Sequence, residues 1–274
     1  MLPNFLIIGA PKAGTTALAA FLAAHPEVYV APEKEVHFFD EHLARGTDWY
    51  RTRFDSARDE IAVGEATPTY MYSDEALERM ADLLPEAKLI VVLRDPVDRA
   101  YSHYWWMRAL FESLSFEDAV HAEMAEGSGK RLYLAGGRYL DRLQAVCRLY
   151  PRSSVHVVIQ EELRRSPDAT FAGVCRFLGV DARRRPANVG AVLNPAYRLR
   201  WPWLRRVMFR IHAWDRISRR IADRIDHWNR VPFAYPPMSP QIRAELERYF
   251  VDHNAALAAW LGRDLLVWGS RAAS

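Results

Sequence analysis

The sequence predicts an α/β fold built on a mainly parallel sheet that is covered by helices on both faces. Three observations support this. Short apolar runs at Phe5–Ile8, Lys88–Leu93 and Val155–Ile159 read as buried strands. Helical patterns separate them, as parallel connections require. A glycine-bounded turn joins the first strand directly to the first helix, and in such folds function lies at the carboxyl ends of the strands.

Taken in order, residues 4–9 form a strand and 15–24 a helix, followed by a short strand at Val28-Tyr29-Val30. A polar-to-aromatic segment, Lys34-Glu35-Val36-His37-Phe38-Phe39-Asp40, precedes a strand ending near Gly64-Glu65. Residues 74–84 read as a helix with Asp74 as its N-cap. The run KLIVVL at 88–93 carries the strongest strand signal, and Pro96 opens the next helix behind a capping Asp95. An amphipathic helix is expected at 138–149, a strand at 155–159, and a helix from Pro167 to Leu178 that stops at Gly179.

The chain has 274 residues, half of them hydrophobic and 26% charged, with a formal charge of +3. That suits a soluble protein with a sizeable core, read as one domain over residues 1–274. Whole-molecule charge gives no argument for nucleic acid, and no reader motif is present. Cys147 and Cys175 have no metal-like spacing and read as free thiols in a reducing cytoplasm. No basic leader precedes the first apolar run, which is too short to span a bilayer, so a cytoplasmic, unprocessed chain is expected.

Strand, turn and helix start together make a phosphate cradle in FLIIGAPKAGTT (5–16): loop amides and the helix N-terminus point at an anion. The spacing resembles a nucleotide-binding P-loop, with one difference. A Walker-type loop carries lysine directly after its second glycine, where this chain has Thr15; its lysine, Lys12, sits inside the loop. The turn suits a phosphate or sulfate group without the usual grip on a γ-phosphate. Thr15 and Thr16 add hydroxyls, which also serve as helix caps.

In VLRDPVDRAYSHYW, Arg94 follows the buried strand and emerges at the edge of the first loop. Ser102 lies eight residues on, about two helical turns along and on a similar face. A guanidinium and a hydroxyl suit a phosphate monoester, although Arg94 could equally pair with Asp95 or Asp98. Glu35, beside two aromatics, is the candidate general base, its pKa raised by partial burial. His37 is the rival, and a surface ion pair of Glu35 with Lys34 is the plain alternative. Neither His/Cys clusters nor metal motifs occur, so chemistry without a metal is expected.

The stretch from Tyr197 to Arg230 carries ten Arg against three Asp, with four Trp interleaved. Apolar positions recur at helical spacing from Leu204 to Ile225, so 198–230 reads as a basic amphipathic helical segment. It is either a helix packed on the sheet or a surface for an anionic acceptor, nucleotide or membrane.

These motifs resemble those of PAPS-dependent sulfotransferases, in particular the heparan sulfate branch and its bacterial relatives. PKAGTTAL resembles the family's 5′-phosphosulfate loop, KEVHFFD its KE-x-HFF segment, RGTDWYRTRF its G-x-DWY stretch and VLRDPVDRAYSHYW its 3′-phosphate motif. GRYLDRL, QEELRRSP and RFLGV fit the helices downstream. The resemblance implies a P-loop-like three-layer fold and the donor 3′-phosphoadenosine 5′-phosphosulfate (PAPS), whose sulfuryl passes to a hydroxyl or amine of a carbohydrate, glycolipid or other small molecule. It implies Lys12, Ala13, Gly14, Thr15 and Thr16 at the 5′-phosphosulfate, with Lys12 also stabilising the leaving oxygen. It implies Arg94 and Ser102 at the 3′-phosphate and Glu35 as base. Where heparan-modifying relatives commonly carry lysine, this chain has Ala66. The rival classes are a small-molecule or nucleotide kinase and a non-catalytic protein binding nucleotide or anionic membrane.

Overall fold

The computed structural model describes residues 1–33, 35–126, 131–191, 197–201, 204, 224–225, 228–265 and 267–268. Its centre is a five-stranded sheet in the order β2-β3-β1-β4-β5, formed by β1 (Phe5–Gly9), β2 (Val28–Val30), β3 (Ala62–Ala66), β4 (Lys88–Leu93) and β5 (Val155–Ile159). All four pairings are parallel. Both faces are therefore covered, and β1 and β4 are almost wholly buried, as their unbroken apolar runs require. Gly64 permits the close pairing of β3 with β1: a Cβ there would collide with the backbone and ring of Phe5.

The flanking helices are α1 (Thr15–Ala23), α2 (Gly46–Arg51), α3 (Asp74–Leu83), α4 (Pro96–Arg108), α5 (Phe116–Glu126), α6 (Tyr139–Leu149), α7 (Gln160–Arg165), α8 (Pro167–Leu178) and α9 (Pro240–Leu261). The main core runs from β1 through to Leu257, Leu265 and Trp268, so the C-terminal helix closes onto the sheet layer. A second cluster joins α4, α5 and α9 through Val97, Tyr104, Phe116, Ile242 and Phe250.

Two sequence expectations need correction. The N-cap of α3 is Ser73, whose Oγ accepts the Ala76 N–H at 3.1 Å, so Asp74 is the first helical residue. The 198–230 segment is not helical at its ends: Tyr197–Leu199 (β6) pairs antiparallel with Arg230–Pro232 (β7). Leu204, Arg224, Ile225 and Trp228 are helical, and the rest of the expected helix lies outside the described residues. Asp95 caps α4 as expected, accepting the N–H groups of Val97 at 2.8 Å and Asp98 at 3.2 Å. Both cysteines are free, Cys175 buried and Cys147 half-buried.

The strand order reverses between β1 and β4. The turn after β1 and Arg94 after β4 thus flank the crevice where open parallel sheets bind ligands. Glu35 follows β2, and in a parallel sheet it lies at the same edge.

Candidate functional site

The turn after β1 is built to expose main-chain amides. Gly14, at φ 101°, is the N-cap of α1, and no side chain caps the helix's first turn. A helix start of this kind, with its dipole, is chemically suited to an anion. Lys12 is held at φ 69°, a left-handed conformation uncommon outside glycine. Thr15 is buried and Thr16 half-buried at the helix start. Ala13 differs from its neighbours: its methyl is buried and its N–H closes the turn on the Ala10 carbonyl at 3.1 Å.

Arg94 reaches this turn. Its Nη1 donates to the Lys12 carbonyl at 3.3 Å. Asp98, one of the alternative partners, pairs with Arg243, whose Nη2 lies 2.7 Å from its Oδ1. The Arg94 carbonyl in turn accepts the Tyr139 hydroxyl at 2.8 Å, which ties the end of β4 to α6. Ser102 stands half-buried in the second turn of α4. A cleft beside Arg94 is lined by Asp95, Asp98, Glu161, Arg164, Arg243 and Glu247. Its carboxylates make it a poor anion site, and burial beside Asp98 raises Asp95 to about 6.

Glu35 stands at φ 61° and His37 at φ 52°. With Lys12 and Leu132 they are the non-glycine residues of positive φ among the described residues, so two of the four are sequence-predicted site residues and a third is the rival base. Each such residue costs on the order of 1–3 kcal/mol and persists only where surrounding contacts fix it. Those contacts are visible. His37 Nδ1 lies 3.1 Å from both Asp40 carboxylate oxygens, and its Nε2 is 3.4 Å from Glu35 Oε2. Burial disfavours the charged ring, but hydrogen bonds to Asp40 and Glu35 and the nearby charges of Asp40 and Glu41 outweigh it, lifting His37 to about 10. Asp40 is lowered despite its own burial, by His37 and by the Thr69 hydroxyl, which donates to it at 2.6 Å. Glu35 keeps 32% of its side chain exposed, so the expected burial is partial.

The fully buried carboxylate in this region is Glu65, near the end of β3, and burial raises its pKa. Its Oε1 accepts the hydroxyls of Tyr50 and Tyr70, each at 3.0 Å, and its Oε2 accepts that of Thr67 at 2.5 Å. Glu65 is not among the sequence-predicted site residues. The available signal is a carboxylate at the end of the apolar run Ile61–Gly64. Among the described residues no group of three or more His, Cys, Asp or Glu is placed to hold a metal, and no helix is long and apolar enough to cross a membrane.

Fold and site define a parallel α/β protein with a turn at a helix start that no side chain caps, a guanidinium joined to it across the switch point, and a carboxylate–imidazole pair on the same edge. The chain matches the family model described as Sulfotransferase domain over residues 2–192 and belongs to that family. A sulfotransferase from Alicyclobacillus acidocaldarius has a similar structure, with TM-score 0.73 and 30% identity, covering 98% of this chain and 99% of that one. The expected P-loop-like three-layer architecture is therefore the one found. The chain is also 29% identical to bifunctional heparan sulfate N-deacetylase/N-sulfotransferase 3 of Mus musculus, over 96% of this chain and 30% of that protein. It is 36% identical to human heparan sulfate glucosamine 3-O-sulfotransferase 3B1 over 65% of this chain and 46% of that protein. The chain thus spans less than half the length of these curated relatives.

Proposed function

We propose that the chain moves the sulfuryl group of PAPS to a hydroxyl or amine of a carbohydrate, glycolipid or other small-molecule acceptor. One observation supports this above the others: Lys12, Arg94 and Glu35 follow the carboxyl ends of β1, β4 and β2 at one sheet edge, with Arg94 hydrogen-bonded to the Lys12 turn. The residues suit the donor. Uncapped amides at the start of α1 and the Lys12 ammonium suit its 5′-phosphosulfate, helped by the hydroxyls of Thr15 and Thr16. Ala13 contributes the shape of the turn rather than its N–H. Arg94 and Ser102 suit the 3′-phosphate.

In this reading the acceptor oxygen or nitrogen forms a bond to sulfur as the bond from sulfur to the 5′-phosphate oxygen breaks. Glu35 takes the acceptor's proton, and Lys12 neutralises the charge growing on the departing phosphate oxygen. His37 serves poorly as base, because a ring lifted to about 10 is already protonated near neutral pH. Its role is to orient Glu35, with Asp40 behind it. The Walker lysine position is Thr15, which disfavours a kinase.

The test is mass spectrometry of an acceptor panel incubated with PAPS or with ATP and Mg²⁺. Sulfated product from PAPS alone supports the reading, and phosphorylated product from ATP refutes it.

We further propose that the 198–230 segment meets an anionic membrane surface. Trp201 and Trp228 are 38% and 58% exposed, with rings 5.1 Å apart and the Arg200 guanidinium 5.6 and 5.7 Å from them. Exposed tryptophans beside cations are the side chains that anchor at lipid headgroups. Buried Asn229 fixes the pair by bonding both the N–H and the carbonyl of Trp201, at 2.8 and 2.9 Å. A cytoplasmic location, with reversible membrane contact, fits this reading.

A further inference from the structure

We infer that Glu65 is a positioning residue for the acceptor base: by orienting the hydroxyls of Thr67 and Tyr70, it holds the main chain of His37 and Phe38 and hence Glu35. The inference rests on the sulfotransfer reading above.

Each hydroxyl carries one hydrogen and two lone pairs. Tyr70 and Thr67 both spend that hydrogen on the Glu65 carboxylate, at 3.0 and 2.5 Å. Their lone pairs are then free to accept, and they do: the Tyr70 oxygen accepts the Phe38 N–H at 2.8 Å, and Thr67 Oγ1 accepts the His37 N–H at 3.4 Å. Only an acceptor at position 65 aligns both hydroxyls this way.

The same residues grip the segment through their rings. Phe38 stacks on Tyr50 at 4.3 Å and 7°, and Phe39 meets the edge of Tyr70 at 5.4 Å. Tyr50 is itself bonded to Glu65. The turn after β3 adds Thr69, which bonds Asp40 behind His37. Thr67, Thr69 and Tyr70 therefore hold positions 37, 38 and 40, at and just beyond His37, the second of the two strained residues. A fully buried carboxylate whose bonded partners are hydroxyls rather than a cation is costly, and this clasp is what it supports. Glu65 cannot itself be the base, because it is 0% exposed and no acceptor reaches it.

The test compares Glu65→Gln, Thr67→Val and Thr67→Ser with the unaltered chain. Glutamine keeps the shape but offers hydrogens where the carboxylate only accepts, so one hydroxyl must turn its hydrogen toward a main-chain N–H. Three quantities are read: amide hydrogen exchange at His37 and Phe38, PAP affinity by calorimetry, and kcat with PAPS and an N-deacetylated heparan oligosaccharide. Glu65→Gln should speed exchange at whichever of the two amides faces the turned hydroxyl, and Thr67→Val at His37, while β1 and β4 stay protected. They should lower kcat about 10- to 100-fold through misplacement of the base, with PAP affinity unchanged. Thr67→Ser, which keeps the hydroxyl, should restore the His37 amide and kcat.

Wild-type protection at His37 and Phe38 in Glu65→Gln overturns the inference. So does loosened exchange with an unchanged kcat, and so does a parallel loss of PAP binding, which would mean general damage. If the unaltered chain binds PAP but sulfates no acceptor, the sulfotransfer reading fails, and the exchange data still decide whether the clasp exists.

Discussion

Arg94 donates its Nη1 hydrogen to the main-chain carbonyl of Lys12 at 3.3 Å, joining the ends of β4 and β1 across the point where strand order reverses. An arginine and a lysine are thereby held at one sheet edge with a backbone oxygen between them. The guanidinium is fixed beside a turn whose helix start carries no side-chain cap, the kind of place where an anion is favoured.

Removing the Lys12 ammonium should lower kcat by about 100-fold or more if it meets charge that grows in the transition state. Because Lys12 sits at φ 69°, Lys12→Gly is the better variant: glycine takes that conformation without cost, so the turn keeps its shape. Steady-state kinetics with PAPS check this. A Lys12→Gly enzyme with unchanged kcat excludes the role.

The His37 ring makes stability depend on pH in a defined direction. Its folded value of about 10 lies above the ordinary 6.5, so the ring paired with Glu35, Asp40 and Glu41 contributes stability that is fully present below pH 6.5. That contribution is lost as pH rises through about 10. The melting temperature of the unaltered chain should therefore exceed that of His37→Gln most below pH 6.5, with the gap closing toward pH 10. A gap that widens with pH contradicts the ion-paired ring.

If Trp201 and Trp228 anchor at a lipid surface, the chain should bind vesicles containing phosphatidylserine and leave pure phosphatidylcholine vesicles alone, with binding weakened by salt. The double variant Trp201→Ala, Trp228→Ala should bind roughly tenfold or more weakly, since each indole removes a large apolar area from water. Co-sedimentation measures it. Undiminished binding by the double variant rules the pair out.

The sheet was legible because β1 and β4 are nearly unbroken apolar runs, the mark left by burial on both faces of a parallel sheet, and β5 is apolar apart from His156. Lys12, Arg94 and Glu35 were legible because each stands directly behind such a run or inside a short motif. The helix Pro240–Leu261 was not placed, although Ser239-Pro240 opens it and Gly262 at φ 66° ends it in the usual way. Glu65 was less accessible. Its surroundings come from Tyr50 in α2 and Tyr70 beyond β3, and nothing local says that both hydroxyls converge on one carboxylate. The His37–Asp40 pairing and the positive φ of Glu35 and His37 likewise depend on packing across the sheet edge, which spacing along the chain does not encode.

The central claim is that the Lys12 turn and Arg94 hold opposite ends of one bisphosphorylated nucleotide. Calorimetry with PAP and with 5′-AMP, which lacks the 3′-phosphate, on the unaltered chain and on Arg94→Ala tests it most directly. The account predicts that the unaltered chain prefers PAP by about 10- to 100-fold, the value of one charge-assisted contact of ~1.5–3 kcal/mol. Arg94→Ala should bind both ligands with the weaker affinity of 5′-AMP. No heat with PAP, or a preference for PAP that survives in Arg94→Ala, contradicts it.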